Sequence, residues 1–363
     1  MDASTRNTFI SLVRLGIGHN ETVISQPIDW EAIFSLSSKQ GLAAIVFDGA
    51  FSTKQKNSPA IGTTIDPDIK QQWMASVVFN YEKRYKAYSK AISSLAGFYQ
   101  DHGLKTMLLK GYACSLNYPI PSHRPCGDID IWLFGRSKDG DRIIETKTDK
   151  KVDNSHHHHT IFYWKGFMVE NHYDFINIHH RKSNIELEKI FKELGKDDSY
   201  SIDIEDKKVY LPSPNLHALF LLRHKISHFA ATEISLRNLL DWAFFVKAHF
   251  KEIDWVWLQD VLKRFGMEKI FSIFNAICVE DLGFDVDIFP TIQCDADVKE
   301  RVFSDILSPE FKGEEPSNLL PRIAFKYRRW KANAWKHKLC YKESMLSAFL
   351  SGIWLRILKP SSI

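Results

Sequence analysis

Cysteine is scarce in this chain, with Cys114, Cys126, Cys278, Cys294 and Cys340 the only five in 363 residues. They are odd in number, dispersed and never spaced as Cys-x-x-Cys. That excludes a disulfide-stapled scaffold and a cysteine zinc site, and it predicts reduced thiols in a cytoplasm. Long apolar runs are also missing. Met345 to Leu358 is too short to span a bilayer and is interrupted by Ser347, Ser351, Gly352 and Arg356, so a packed terminal helix is expected there and no transmembrane segment. The first residues carry an early acid, Asp2, and only a short apolar run, so no secretory signal is expected. Nor is there a strong charge of either sign, since 48 Lys and Arg against 44 Asp and Glu leave +4. With 44% hydrophobic and 25% charged residues, the chain has the composition of an ordinary globular protein. Its length suits one large domain or about two to three small ones.

The charge asymmetry that does exist is local. Arg322 to Lys342 holds eight Lys or Arg and no Asp or Glu, interleaved with Phe325, Tyr327, Trp330, Trp335 and Tyr341. Cations mixed with aromatics can hold a phosphate backbone and stack on bases, or lie on an anionic membrane surface. The plainer alternative is a solvated basic helix face whose aromatics pack inward.

The chemistry concentrates between Met107 and Leu133, which reads as strand, glycine turn, short helix and a second strand. Asp128 and Asp130 lie two residues apart at the head of that second strand, so both carboxylates share a face while Ile129 and Ile131 point into the core. Two carboxylates this close repel unless a cation sits between them, and a hard divalent ion with oxygen ligands is the usual solution. Mg2+ (or Mn2+) is the expected ion, and phosphoryl or nucleotidyl transfer is the chemistry such a site serves. Upstream, Lys105 to Leu109 ends in Lys110-Gly111, and Tyr112 to Leu116 can start a helix. Gly111 permits the turn, the free N–H groups of a helix start can receive phosphate, and Lys110 adds charge beside it. Arg124 is placed to reach a phosphate or to pair with an aspartate.

The string Leu108-Leu109-Lys110-Gly111, followed by Arg124-Pro125, Gly127-Asp128-Ile129-Asp130-Ile131 and then Val169-Glu170-Asn171-His172, resembles an uncharacterised bacterial nucleotidyltransferase family of the polymerase-β-type superfamily. The resemblance covers roughly residues 30–250, with its sharpest motifs at 107–172. It implies an α+β fold, a small mixed-sheet nucleotidyltransferase core flanked by N-terminal and C-terminal helical regions. It also implies a two-metal transfer of a nucleoside monophosphate from an NTP to a hydroxyl acceptor, a small molecule, protein or RNA. Asp128, Asp130 and Glu170 are then the catalytic metal ligands. Lys110, Gly111, Arg124, Arg237 and Asp241 face the nucleotide, and His158 and His172 contact substrate. Two features depart from the pattern: Lys110-Gly111 stands where broader relatives have Gly-Gly or Gly-Ser, and residues 135–154 are so polar that a sheet-packing helix there is thin. The competing reading is a non-catalytic nucleotide-binding or nucleic-acid-interaction protein working through residues 322–342.

Three regions are expected: helical 1–100, an α/β core at 101–211 and helical 212–363, with Pro212 to Pro214 marking the last boundary. Asp29 caps a helix from Trp30 to Ser37, Gly41 to Phe51 forms another, residues 53–66 read as a loop, and 68–100 shows helical spacing. Further helices are expected over 216–229, 234–250 and 255–265. His156 to His159, if they begin a strand, divide two and two between its faces and cannot all bind one ion, so a solvated run is expected. His179-His180 reads as loop. His224 and His228, four apart on one helical face, read as packing residues, and Arg237 with Asp241 as a helix-face ion pair or a substrate contact.

Overall fold

A run of helices, a short mixed sheet and a second run of helices follow one another along the chain. The computed structural model describes residues 2–19, 24, 27–51, 64–179 and 181–343. His180, most of the loop expected at 53–66 and the terminal helix expected at 345–358 lie outside the described residues.

The first run comprises α1 (Ala3–Gly16), α2 (Trp30–Lys39), α3 (Ala43–Ala50) and α4 (Pro67–Ser76), which passes through a π-helical segment, Val77–Lys83, straight into α5 (Arg84–Asp101). Asp29 does cap α2, accepting the Ala32 N–H at 2.9 Å, and Asp66 with Pro67 behind it opens α4. The core then runs β1 (Met107–Leu108), α6 (Tyr112–Ser115), β2 (Ile129–Trp132), α7 (Ser137–Lys147), β3 (His159–Trp164), β4 (Phe167–His172), α8 (Lys182–Leu194), β5 (Ser201–Ile204) and β6 (Lys207–Tyr210). Helix α7 is as thin as its sequence implies, burying only Ser137, Gly140 and Ile144. The second run is α9 (Pro214–Ala231), α10 (Leu236–His249), α11 (Trp255–Phe265), α12 (Glu268–Ala276), α13 (Ala296–Leu307), α14 (Leu319–Ala332) and α15 (Ala334–Cys340).

The six strands are ordered β3-β4-β2-β1-β6-β5. Strand β2 is central: it runs antiparallel to β1 and parallel to β4, with Asp130 opposite Glu170 and Trp132 opposite His172. This mixed sheet among helices is the α+β architecture the sequence implies.

Strand alternation divides the core in two. Ile129, Ile131 and Leu133 pack with Val169, Phe162 and the buried side of α5. On the opposite face, Met107, Leu109 and Trp132 join a larger core built from α1 to α4 together with the helices after Pro214. Helices from both ends of the chain therefore share one apolar interior. Gln40 ties them with polar bonds as well, donating to the Ile306 and Leu307 carbonyls at 3.1 and 3.3 Å and accepting the Leu236 N–H at 2.7 Å.

Helices α1 and α3 approach until backbone meets backbone. A β-carbon on Gly49 would lie 2.0 Å from the Leu12 carbonyl oxygen, and one on Gly16 would lie 1.9 Å from that of Ile45. Gly49→Ala is expected to lower unfolding stability by about 1–3 kcal/mol, since overpacking forces the helices apart. Urea denaturation measures it, and an unchanged midpoint would show that the two helices do not touch there.

Candidate active site

The site begins where β1 ends. Gly111 turns the chain with φ +62° and ψ −105°, a conformation open to glycine and costly for other residues. The turn is packed from outside by Tyr88 of α5, whose hydroxyl donates to the Asp128 carbonyl at 2.6 Å and lies 2.5 Å from where a Gly111 β-carbon would stand. One buried phenol thus fixes the glycine turn and the aspartate strand against each other. Helix α6 is a single turn, and its Ala113 N–H is spent on the Lys110 carbonyl at 3.2 Å. It starts at Tyr112, where the sequence allows a helix to start, and Leu116 caps it.

Lys110 projects over the carboxylates. Its ammonium stands 2.9 Å from Asp130 Oδ1 and 3.8 Å from Asp128 Oδ2, so the two aspartates do share a face. Burial works against this charge, but Asp130, Asp128 and Glu170 outweigh it and raise the Lys110 pKa. The parallel register brings Glu170 beside Asp130, and His172, two residues further along β4, reaches both, with Nε2 3.3 Å from Asp130 Oδ1 and 3.5 Å from Glu170 Oε2. For Glu170, burial is opposed by the His172 hydrogen bond and the Lys110 charge, which pull the carboxyl down to about 2. For His172, burial is overcome by Asp130 and Glu170, which raise the ring to about 9. Asp130 is 1% exposed, and its Oδ2 is buried without a hydrogen-bond partner. A buried carboxylate oxygen in that state is able to accept a divalent cation.

The histidine run differs from expectation. The strand begins only at His159, and His156 to His158 form a bend before it, so alternation does not separate His158 from His159. Instead of a solvated run, both rings turn toward His172, and His159 is only 7% exposed. His159 Nε2 lies 3.8 Å from Glu170 Oε1. Helix α9 contributes His224 and His228, in contact with ring centroids 4.4 Å apart and planes tilted by 51°. Burial and then the facing Lys110 charge keep both neutral.

Arg124, Asp241 and Arg237 form a second charged group. Arg124 and Asp241 form a buried two-pronged ion pair, Nε to Oδ1 at 2.8 Å and Nη2 to Oδ2 at 3.0 Å, and Tyr118 donates to the same carboxylate at 2.7 Å. Their hydrogen bonds are spent on locking the loop before β2 to α10. Asp241 is thus bonded to Arg124 rather than to Arg237 on its own helix face. Arg237 is half-buried against Gly41, and its charge acts with that of Arg124 to lower the Asp241 pKa. In the basic segment, Arg322, Lys326 and Arg329 converge on Glu315 at 3.6, 3.1 and 3.6 Å, and Lys336 is buried against Asp305 at 2.6 Å. Acids outside the segment therefore neutralise part of its charge. Its aromatics do not all turn inward: Tyr327 is 51% exposed, beside Leu320 and Ile323 on the same helix.

The residues that sequence reasoning missed are His159 and Tyr88. His159 was visible within its run, but its pairing opposite His172 in the β3/β4 register decides where it faces. Tyr88 carries no motif and is placed by the packing of α5.

A model of an uncharacterised nucleotidyltransferase family matches residues 26–283, from α2 through the segment after α12, and the chain belongs to that family. No curated protein matches it, and no solved structure does. Among the described residues no helix is long and apolar enough to cross a membrane.

Two outcomes follow from the site's framework. Gly111→Ala is expected to push Tyr88 off the Asp128 carbonyl and lower stability by about 1–3 kcal/mol; a melting temperature equal to wild type would contradict the packing. Arg124→Met strands a buried carboxylate and is expected to cost about 3–5 kcal/mol at pH 7. Because the folded Asp241 pKa lies below its ordinary 3.8, the stability from this pair is complete above 3.8 and is lost as pH falls from there through the lower folded pKa. The deficit of the variant, measured by urea unfolding, should therefore shrink below about pH 4. A deficit that grows on acidification would reverse the assignment.

Proposed function

We propose that this protein transfers a nucleoside monophosphate from an NTP to a hydroxyl of a small molecule, protein or RNA. The observation that carries the reading is the pairing of Asp130 with Glu170 beneath the Lys110 ammonium, with one buried Asp130 oxygen lacking a protein partner. This donor set suits Mg2+ or Mn2+, which when bound neutralises triphosphate charge and polarises the phosphorus under attack. Asp128 and Asp130 would hold one ion, and the same pair with Glu170 a second. Lys110 is the cation that exchanges a carboxylate for the triphosphate. His172 holds Asp130 and Glu170 in one orientation.

In the reaction the acceptor oxygen bonds to the α-phosphorus while the bond from that phosphorus to the bridging oxygen breaks. Pyrophosphate leaves with the electron pair, and the proton of the acceptor passes to water. Excluding water from an activated phosphorus favours transfer over hydrolysis, and the α9 wall carrying His224 and His228 faces the carboxylates where such a cover is needed.

The test is thermal stabilisation by each of the four NTPs, with and without Mg2+, in wild type, Asp128→Asn and Asp130→Asn. The expected result is Mg2+-dependent stabilisation, about 2.7 kcal/mol at a hundredfold excess over Kd, lost in both variants. No stabilisation of wild type by any NTP, or stabilisation equal in the variants, would overturn the reading.

A further inference from the structure

Beside the carboxylates lies a group of three imidazoles, of which the proposed transfer uses His172 alone, to orient Asp130 and Glu170. One ligand atom from each of His158, His159 and His172 can be chosen so that all three lie within 4.8 Å of one another. Ring centroids are 4.4 Å apart for His158 and His159, 5.3 Å for His159 and His172, and 5.6 Å for His158 and His172. The backbone fixes this arrangement. Antiparallel pairing sets His159 opposite His172, and the His158 carbonyl accepts the Tyr173 and Asp174 N–H groups at 3.0 and 3.1 Å.

The nitrogens are disposed as in a metal-binding group. His172 Nδ1 is 3.3 Å from the Asp174 carbonyl oxygen, the kind of hydrogen bond that orients metal-ligating histidines, and Nε2, which faces Asp130 and Glu170, would release its proton when an ion binds there. His158 Nδ1 and His159 Nδ1 are both buried with no hydrogen-bond partner. Buried polar nitrogens seldom go unsatisfied, and here two of them belong to adjacent rings. Neutral imidazoles are soft enough to prefer first-row transition ions and Zn2+ over Mg2+, which favours oxygen.

We propose that His158, His159 and His172 form a nitrogen-ligand site for a divalent ion of the Zn2+ class, adjoining the oxygen site of Asp128 and Asp130. Three imidazoles leave a tetrahedral ion one position for an oxygen from outside the protein. Glu170, 3.8 Å from His159 Nε2, lies at the boundary of the two sets. A hydroxyl acceptor suits that open position, a role that rests on the nucleotidyltransferase reading, whereas the site itself does not.

Metal titration without nucleotide tests it, using Zn2+ for affinity and stoichiometry and Co2+ for its visible absorption. Wild type is expected to bind one equivalent of Zn2+ more tightly than Mg2+ by at least a hundredfold and to give Co2+ bands of a nitrogen-ligated centre. His158→Ala and His159→Ala should each weaken Zn2+ at least tenfold, while Asp128→Asn should leave it within twofold. Melting temperatures without metal identify any variant that fails to fold, and His158→Gln then replaces it. Zn2+ binding no tighter than Mg2+, binding insensitive to the histidine variants, or Co2+ without those bands would overturn the site. Each outcome is independent of the Mg2+ and NTP stabilisation described above, so the two readings fail separately.

Discussion

Three carboxylates converging at one end of a sheet form an arrangement that cannot stand without positive charge, and most of the surrounding structure is disposed to supply or contain it. Asp130 is 1% exposed and faces Glu170 across the β2/β4 ladder, a placement whose repulsion would oppose folding if both were left unpaired. Lys110 answers from the turn after β1, and His172 answers from the same strand as Glu170. Both are themselves buried enough that their charge depends on the carboxylates. Glu170, Lys110 and His172 thus favour one another's charged forms, and in the proposed reaction metal and triphosphate would exchange partners within that framework.

That framework depends on distant parts of the chain. Tyr88 packs against the Gly111 turn and bonds the Asp128 carbonyl, and Arg124 anchors the loop leading into β2 to Asp241 on α10. The helices before and after the sheet share one core, so α10 is held in turn by Gln40 and the N-terminal helices. Small changes at these buried partners are felt at the site through position, without any loss of a ligand.

Much of this was legible in the sequence where the reasoning is local. Period-two alternation placed Asp128 with Asp130 and Glu170 with His172, and helix capping placed the start of α2 at Asp29. Pairings between residues far apart were not legible. Arg124 finds Asp241 across 117 positions, and Glu315 gathers Arg322, Lys326 and Arg329 from outside the segment that looked purely basic. The histidine run shows a subtler limit. His158 is set opposite to His159 by alternation if the strand begins at His156 and is free of it if the strand begins at His159, and local propensity does not distinguish those starts. The resemblance to a nucleotidyltransferase family carried the motifs from 107 to 172, while the α9 histidines facing the site became visible only once α9 was packed over the sheet.

The proposed site joins metal and nucleotide at Asp128, Asp130 and Glu170, with Lys110 passing from Asp130 to the triphosphate. Its most direct test is a crystal structure with Mn2+ and a non-hydrolysable NTP analogue, read through the anomalous signal of the metal. The account predicts Mn2+ coordinated by Asp128 and Asp130, triphosphate oxygens on the same ion, and the Lys110 ammonium moved from Asp130 to the phosphates. Nucleotide bound elsewhere, with the Lys110 to Asp130 ion pair intact and no metal peak between the carboxylates, would contradict it.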